Sequence, residues 1–372
     1  MTARHQSKKS VGKKQAAALI ATVLLAVLAL LVFIYRDSLS ELLSGTSPDK
    51  NFSESEPFTF EAGSRQYFSL AGERLAVAST TGLQVLSSKG ETLIRQVYSM
   101  INPAISEAEN ACAFYDVGGK ALRVYKNDEC FEYDRSYPII SVQMNAGGYI
   151  AISEQESGYK GVVTVLDETG SEVYIWYSGS GYPVDAAVSP DCSRLAVLSL
   201  ESSGSVVHVF ELNSEKELFS VSLPNELAFK LNFFKSGDFC TLSEDALHFF
   251  AADGKEHPIY SFEDSYLAGF ELSGEICAVV LSKYVSGSDV SLLSFAPDGD
   301  IYGSTPLSGE PVSLFAQKQR LLVLCSDMIT IFSRDLRTLS EGRVVAGYKS
   351  ALLTPKGSIL LLTSHYAEEY KI

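Results

Sequence analysis

Turn-forming triplets recur along this chain at an interval near 40 residues, and that interval constrains the fold more than any other feature. The triplets are of two kinds. The first kind follows an apolar run and precedes the most hydrophobic run of each unit, at residues 71–73, 107–109, 145–147, 189–191, 235–237, 273–275, 317–319 and 355–357. The second kind comes about 15–25 residues later, at 88–90, 126–128, 168–170, 213–215, 253–255, 298–300 and 334–336. Between the turns lie short runs of Val, Ile, Tyr, Phe and Leu, and from Phe58 onward no amphipathic stretch of helical length interrupts them. Four short strands per unit at this period are the signature of a β-propeller blade. One kind of turn then joins strands a and b, the other strands c and d. Eight a–b turns against seven c–d turns leave the last blade one strand short, because the chain ends at Tyr370-Lys371-Ile372 before an eighth c–d turn. The segment Phe58-Thr59-Phe60-Glu61 can supply the missing strand and so remove the exposed sheet edges of an open array. The expectation is an all-β chain with a single propeller over residues 57–372, of eight blades, with seven as the alternative if one weak unit is misjudged. Two smaller β domains rank below this, since nothing resembling an interdomain linker occurs between residues 66 and 372.

Ahead of the propeller lies a segment of a different character. Residues 1–15 carry Arg4, Lys8, Lys9, Lys13 and Lys14 and no acid, and residues 16–35 are twenty positions without a charge. At about 1.5 Å per residue the apolar run covers roughly 30 Å, the thickness of a hydrocarbon core. The basic side stays inside, so the expected topology is a single-pass signal anchor in the cell membrane, with a cytoplasmic N-terminus and an extracytoplasmic C-terminal domain. Residues 36–56, rich in Ser, Glu and turn formers, read as a short linker. The rival is a signal peptide cleaved after Ser40, but its apolar region is usually only about 7–15 residues long.

Six of the 30 basic groups and none of the 45 acids fall in the first 36 residues, leaving 24 basic groups against 45 acids in the remainder. So acidic a domain does not bind nucleic acid or anionic headgroups through its net field. Cys112, Cys240, Cys277 and Cys325 lie within apolar runs and read as small core residues, while Cys130 and Cys192 fall in expected turns. No structural disulfide is expected.

The unit Ala187-Val188-Ser189-Pro190-Asp191-Cys192-Ser193-Arg194-Leu195-Ala196-Val197 resembles the SPDG-type repeat of WD40-like and TolB-like bacterial propellers, and Pro355-Lys356-Gly357-Ser358-Ile359-Leu360 is a fainter copy. Cys192 replaces the usual glycine, and no Trp-Asp pair occurs. With its apolar N-terminal segment the chain resembles a membrane-anchored propeller family of unknown function from Gram-positive, clostridia-like bacteria. That resemblance implies a fold and a location, and no activity.

Motifs that carry chemistry are scarce. There is no G-x-S-x-G elbow, no phosphate-binding G-x-x-x-x-G-K-[ST] loop, no H-E-x-x-H and no paired C-x-x-C. Gly179-Ser180-Gly181 lacks the third glycine and the helix of a dinucleotide fingerprint and reads as a blade-to-blade loop. Asp298-Gly299-Asp300 reads as a hairpin turn, not a calcium loop. His208 and His248 occupy similar places in the third strands of neighbouring blades, where spacing alone gives no convergence. No catalytic, cofactor or metal residue is named. The densest aromatic patch, Tyr174, Trp176, Tyr177 and Tyr182, is the candidate contact surface, because Tyr and Trp favour binding hot spots. The functional expectation is a protein- or envelope-polymer-binding scaffold. The alternatives are a hydrolase with carboxylates at the channel and a sensor ectodomain, which needs a partner because the basic tail has no room for a signalling domain.

Overall fold

The computed structural model describes residues 57–370, and the basic tail, the apolar segment and the linker lie outside the described residues. Among the described residues there are 32 strands in eight four-stranded antiparallel sheets. Seven blades follow the chain in order, over residues 67–97, 103–132, 139–178, 182–224, 230–261, 266–306 and 313–343. The eighth pairs Ser350–Leu353, Ile359–Leu362 and Tyr366–Tyr370 with the remote Phe58–Thr59 strand. The expected closure is therefore observed: Phe58 faces Ala367, Thr59 faces Tyr366, and Phe60 N–H donates to the His365 carbonyl at 3.0 Å. Phe60 is buried against Leu361 and Ala367, a burial worth about 2–3 kcal/mol.

Burial explains why the runs differ within a blade. In blade 4 the second strand, Arg194–Glu201, is buried at five successive positions, because both of its faces pack on neighbouring blades. The outermost strand, Glu217–Pro224, alternates exposed and half-buried side chains, as an edge with one wet face must. The core is thus a series of wedges between blades. One of them joins Leu198 and Val207 of blade 4 to Leu231, Phe239 and Phe250 of blade 5.

The turns lock by short-range hydrogen bonds. In the 189–194 turn Ser189 N–H donates to the Arg194 carbonyl and Cys192 N–H to the Ser189 carbonyl, both at 2.9 Å. Cys192 has φ 58°, and Gly148, Gly237 and Gly357 take the same left-handed place in blades 3, 5 and 8. Asp298-Gly299-Asp300 is a hairpin turn, with Asp300 N–H donating to Asp298 Oδ1 at 3.3 Å.

Two expectations are corrected. The Pro103–Ala108 strand runs through Glu107, so the turn of blade 2 is Glu109-Asn110, one step later than expected. Cys130 lies in the Glu129–Glu132 strand and not in a turn. Cys112, Cys240, Cys277 and Cys325 are buried, and all six cysteines are free thiols.

Candidate functional site: the loop face and the channel

Antiparallel pairing puts all a–b and c–d turns on one face of the ring and all b–c and d–a connections on the other. The two faces differ. Of 22 large hydrophobic side chains exposed to solvent among the described residues, 14 lie in the b–c and d–a connections or within two residues of them. Phe270 lies on the innermost strand of blade 6, and the other seven lie on outermost strands or the run leading into one. By the same measure five of these, Leu93, Val173, Leu218, Ile301 and Leu339, lie within two residues of a c–d turn. Scattered exposed apolar groups are normal, but their bias of 14 to five toward one face marks that face as the better contact surface.

The aromatic stretch of blade 3 is divided by strand alternation. Tyr174 and Trp176 turn toward blade 4, where the Trp176 ring lies 5.4 Å from those of Phe210 and His208. They border a shallow groove on the rim with Leu212, Asn213 and Glu215. Tyr177 turns the other way, against Tyr159 at 4.8 Å. Tyr182 opens the first strand of blade 4, with the Lys160 ammonium 4.8 Å over its ring and 3.3 Å from its hydroxyl. Tyr177 and Tyr182 thus belong to the loop face, joined there by Tyr159 and Lys160, while Tyr174 and Trp176 belong to the blade 3–4 seam. Tyr159 escaped the sequence reading because it lies in a loop 18 residues before Tyr177.

The innermost strands hold polar groups that the sequence did not single out. Gln143 of blade 3 donates to Asp185 of blade 4 at 2.6 Å and, past blade 4, to the Leu231 carbonyl of blade 5 at 2.9 Å, a reach available only along the channel wall. Asp185 also accepts from Leu231 N–H at 3.0 Å and pairs with Lys230 at 3.2 Å. Glu107 and Glu271 occupy the same register place on blades 2 and 6, four blades apart on an eight-blade ring. Ser69 donates to Glu107. Glu107 keeps exposed surface, yet strands crowd around it, and poor solvation of the charged form pushes its carboxyl up to about 7. Glu271 is half-buried; the same desolvation, with the Glu107 charge adding to it, pushes it up to about 8. Such groups hold protons near neutrality. These two acids lie on innermost strands close to the a–b turns, toward the turn-face end of the channel. No three His, Cys, Asp or Glu side chains gather as a metal site among the described residues.

His208 and His248 do occupy equivalent places on the third strands of blades 4 and 5, opposite Val197 and Thr241. Each lies between two carboxylates of its own neighbourhood. His208 is 2.8 Å from Glu217 and 3.8 Å from Glu201, and His248 is 3.5 Å from Glu256 and 3.6 Å from Glu226. Gln84, Arg123 and Thr164 fill the same strand position in blades 1 to 3, so the place is polar in five successive blades.

A ring of eight four-stranded blades, closed by a strand from the opposite end of the chain, is a WD40-like propeller. The C-terminal WD40 domain of Sif2 is similar at 10% identity with a TM-score of 0.55, over 86% of this chain and 98% of that one. The propeller of Cps50 (Swd1) from Myceliophteria thermophila is similar at 11% identity with a TM-score of 0.50, over 87% and 99%. Dihydro-heme d1 dehydrogenase NirN is similar at 12% identity with a TM-score of 0.54, over 77% and 67%. At these identities the likeness is one of fold alone. Over residues 51–358 the chain matches, and belongs to, the Family of unknown function (DUF5711). No curated protein matches it in sequence.

Proposed function

We propose that this protein is a membrane-anchored, extracytoplasmic propeller that binds a protein or an envelope polymer and serves as a scaffold at the cell surface. The observation that supports the reading is the bias of exposed apolar side chains toward the b–c and d–a face, 14 of 22 against five beside the turns of the opposite face. A rigid ring that presents variable loops on one side suits recognition, and Tyr in such loops gives contact area at low entropic cost. The charge-free residues 16–35 behind a basic tail support the anchor. The acidic balance of the remainder supports a partner that is not nucleic acid.

The test is chemical cross-linking of the full-length protein in native membranes, with the cross-linked positions mapped by mass spectrometry. The reading expects a reproducible partner attached through the loop face, for example at Lys160 or Lys283. Attachments confined to turn-face lysines such as Lys126 and Lys235 would sink it, and recovery of the protein alone would sink the protein partner and leave the envelope polymer.

A further inference from the structure

We infer that the loop face has one binding half: the connections of blades 4 to 7 take a basic polypeptide segment that carries apolar anchors. The inference rests on the reading of that face as the contact surface and names its partner's chemistry.

Charge divides the face into two unlike halves. The connections 202–203, 225–229, 243–245, 262–265, 283–289, 307–312 and 325–327 hold eight carboxylates and one basic group, Lys283. Those of the other half, 60–66, 80–81, 98–102, 117–121, 133–138, 155–160, 179–181, 344–349 and 363–365, hold three carboxylates and five Lys or Arg. The acids of the first half are gathered by backbone bonds. Phe262 N–H donates to the Asp245 carbonyl at 2.8 Å, which ties the b–c turn of blade 5 to the blade 5–6 connection. Glu244, Asp245, Glu263 and Asp264 therefore form one exposed ridge, and none of these carboxylates has an ion-pair partner among the described residues. Four adjacent carboxylates without a counter-charge repel one another, and a cationic segment laid across them relieves that repulsion.

Apolar anchors stand beside the ridge because the loops are pinned to hold them out. Ala228 is buried, its N–H donating to Ser205 at 2.9 Å, so its neighbours Leu227 and Phe229 face solvent at 68% and 39% exposure. Phe229 pairs with Phe270 at 5.8 Å. In blade 6 the Ser282 hydroxyl lies 2.7 Å from the Tyr284 carbonyl and 3.0 Å from that of Ser288, donating to one at a time, and so pins the loop that leaves Val285 80% exposed. Carboxylates interleaved with fixed apolar groups fit a chain of alternating cationic and apolar side chains better than they fit a simple cation, which has no use for the latter. A second copy of this face is a poorer match, because five basic groups with three acids among them cannot offset eight carboxylates against one lysine.

The probe is a fluorescein-labelled peptide of alternating Lys and Leu, with a Glu/Leu peptide as its counterpart, titrated by anisotropy against the full-length protein in zwitterionic nanodiscs. The expected result is binding of the Lys/Leu peptide that weakens steeply from about 50 to about 300 mM salt, as exposed charge pairs are screened. Binding is expected to fall at least tenfold in the variant Glu244→Gln, Asp245→Asn, Glu263→Gln, Asp264→Asn. It is expected to persist when the same number of turn-face acids is neutralised by Glu109→Gln, Glu129→Gln, Glu215→Gln and Asp300→Asn. Equal loss in the two variants, unchanged binding in the first, or equal binding of the Glu/Leu peptide would overturn the inference, as would dimerisation through this face in sedimentation. A photo-reactive residue at Tyr284 and another at Tyr159 separate this inference from the broader reading in native membranes. Capture at Tyr284 of a protein whose cross-linked segment is basic and carries apolar side chains supports the inference, and capture of an acidic segment there overturns it. Capture at Tyr159 alone, whether of a protein or of a polysaccharide, overturns it and leaves the binding module standing. Capture at neither position overturns both.

Discussion

Cys192 holds a left-handed backbone, φ 58°, at a place where blades 3, 5 and 8 use glycine. A Cβ there costs about 1–2 kcal/mol, and glycine's extra freedom in the unfolded chain returns about 0.5–1 of it. Cys192→Gly is therefore expected to stabilise the protein by about 0.5–1 kcal/mol, seen as a higher denaturant midpoint at unchanged slope. At the channel wall the titration works in the opposite direction from that of an ordinary paired carboxylate. Glu107 and Glu271 are raised from 4.5 to about 7 and about 8, so the folded state holds protons that the unfolded state has released. Their contribution is complete below about pH 4.5 and is lost as pH rises through about 7 to 8. Between pH 5 and 8 the melting temperature is expected to fall, and Glu271→Gln to flatten that fall more than Glu107→Gln, because Glu107 keeps exposed surface. A melting temperature that rises over this range, or a slope that the Gln variants leave unchanged, would refute the assignment.

At the scale of elements, the two-residue Phe58–Thr59 strand and Phe60 behind it close the ring. Phe60→Ala is expected to cost about 3 kcal/mol, the usual range for a buried Phe, and to speed amide exchange first in the Tyr366–Tyr370 strand. Uniform loss of protection over all blades would mean that the closing sheet is no weaker than the rest. This closure was legible in the sequence because Gly, Asp, Asn and Ser mark the turns, and a count of turns exposes the missing strand. Turn chemistry failed at residues 107–109 for a physical reason. Glu107 sits on an innermost strand, where water reaches a side chain inside a sheet, and two glutamates flanking Ala108 imitate a solvated turn. The aromatic patch is divided for a different reason. Sequence density cannot express the period of two that sends Trp176 into a seam and Tyr177 to the surface. The acidic half of the loop face needed the assignment of every connection to one side of the ring before its charges could be summed.

For the whole molecule, stability is spread over wedges between blades, and each blade leans on two neighbours. Removal of residues 350–370 is therefore expected to destabilise blades 7 and 1 together, with loss of a single cooperative unfolding transition in calorimetry. Retention of one sharp transition would show that a seven-blade remnant recloses by itself. The asymmetry of the two faces belongs to this scale as well, since no single blade carries it.

The sheet that joins Phe58–Thr59 to Tyr366–Tyr370 also sets an order of events in time. The first strand of the ring to leave the ribosome must wait, unpaired, until nearly the whole propeller has been made, because its partner is the last strand of the ring. The chain thus carries its own check on completeness. A product interrupted before Tyr366 has no mate for its first strand and shows the solvent an edge that the finished molecule hides.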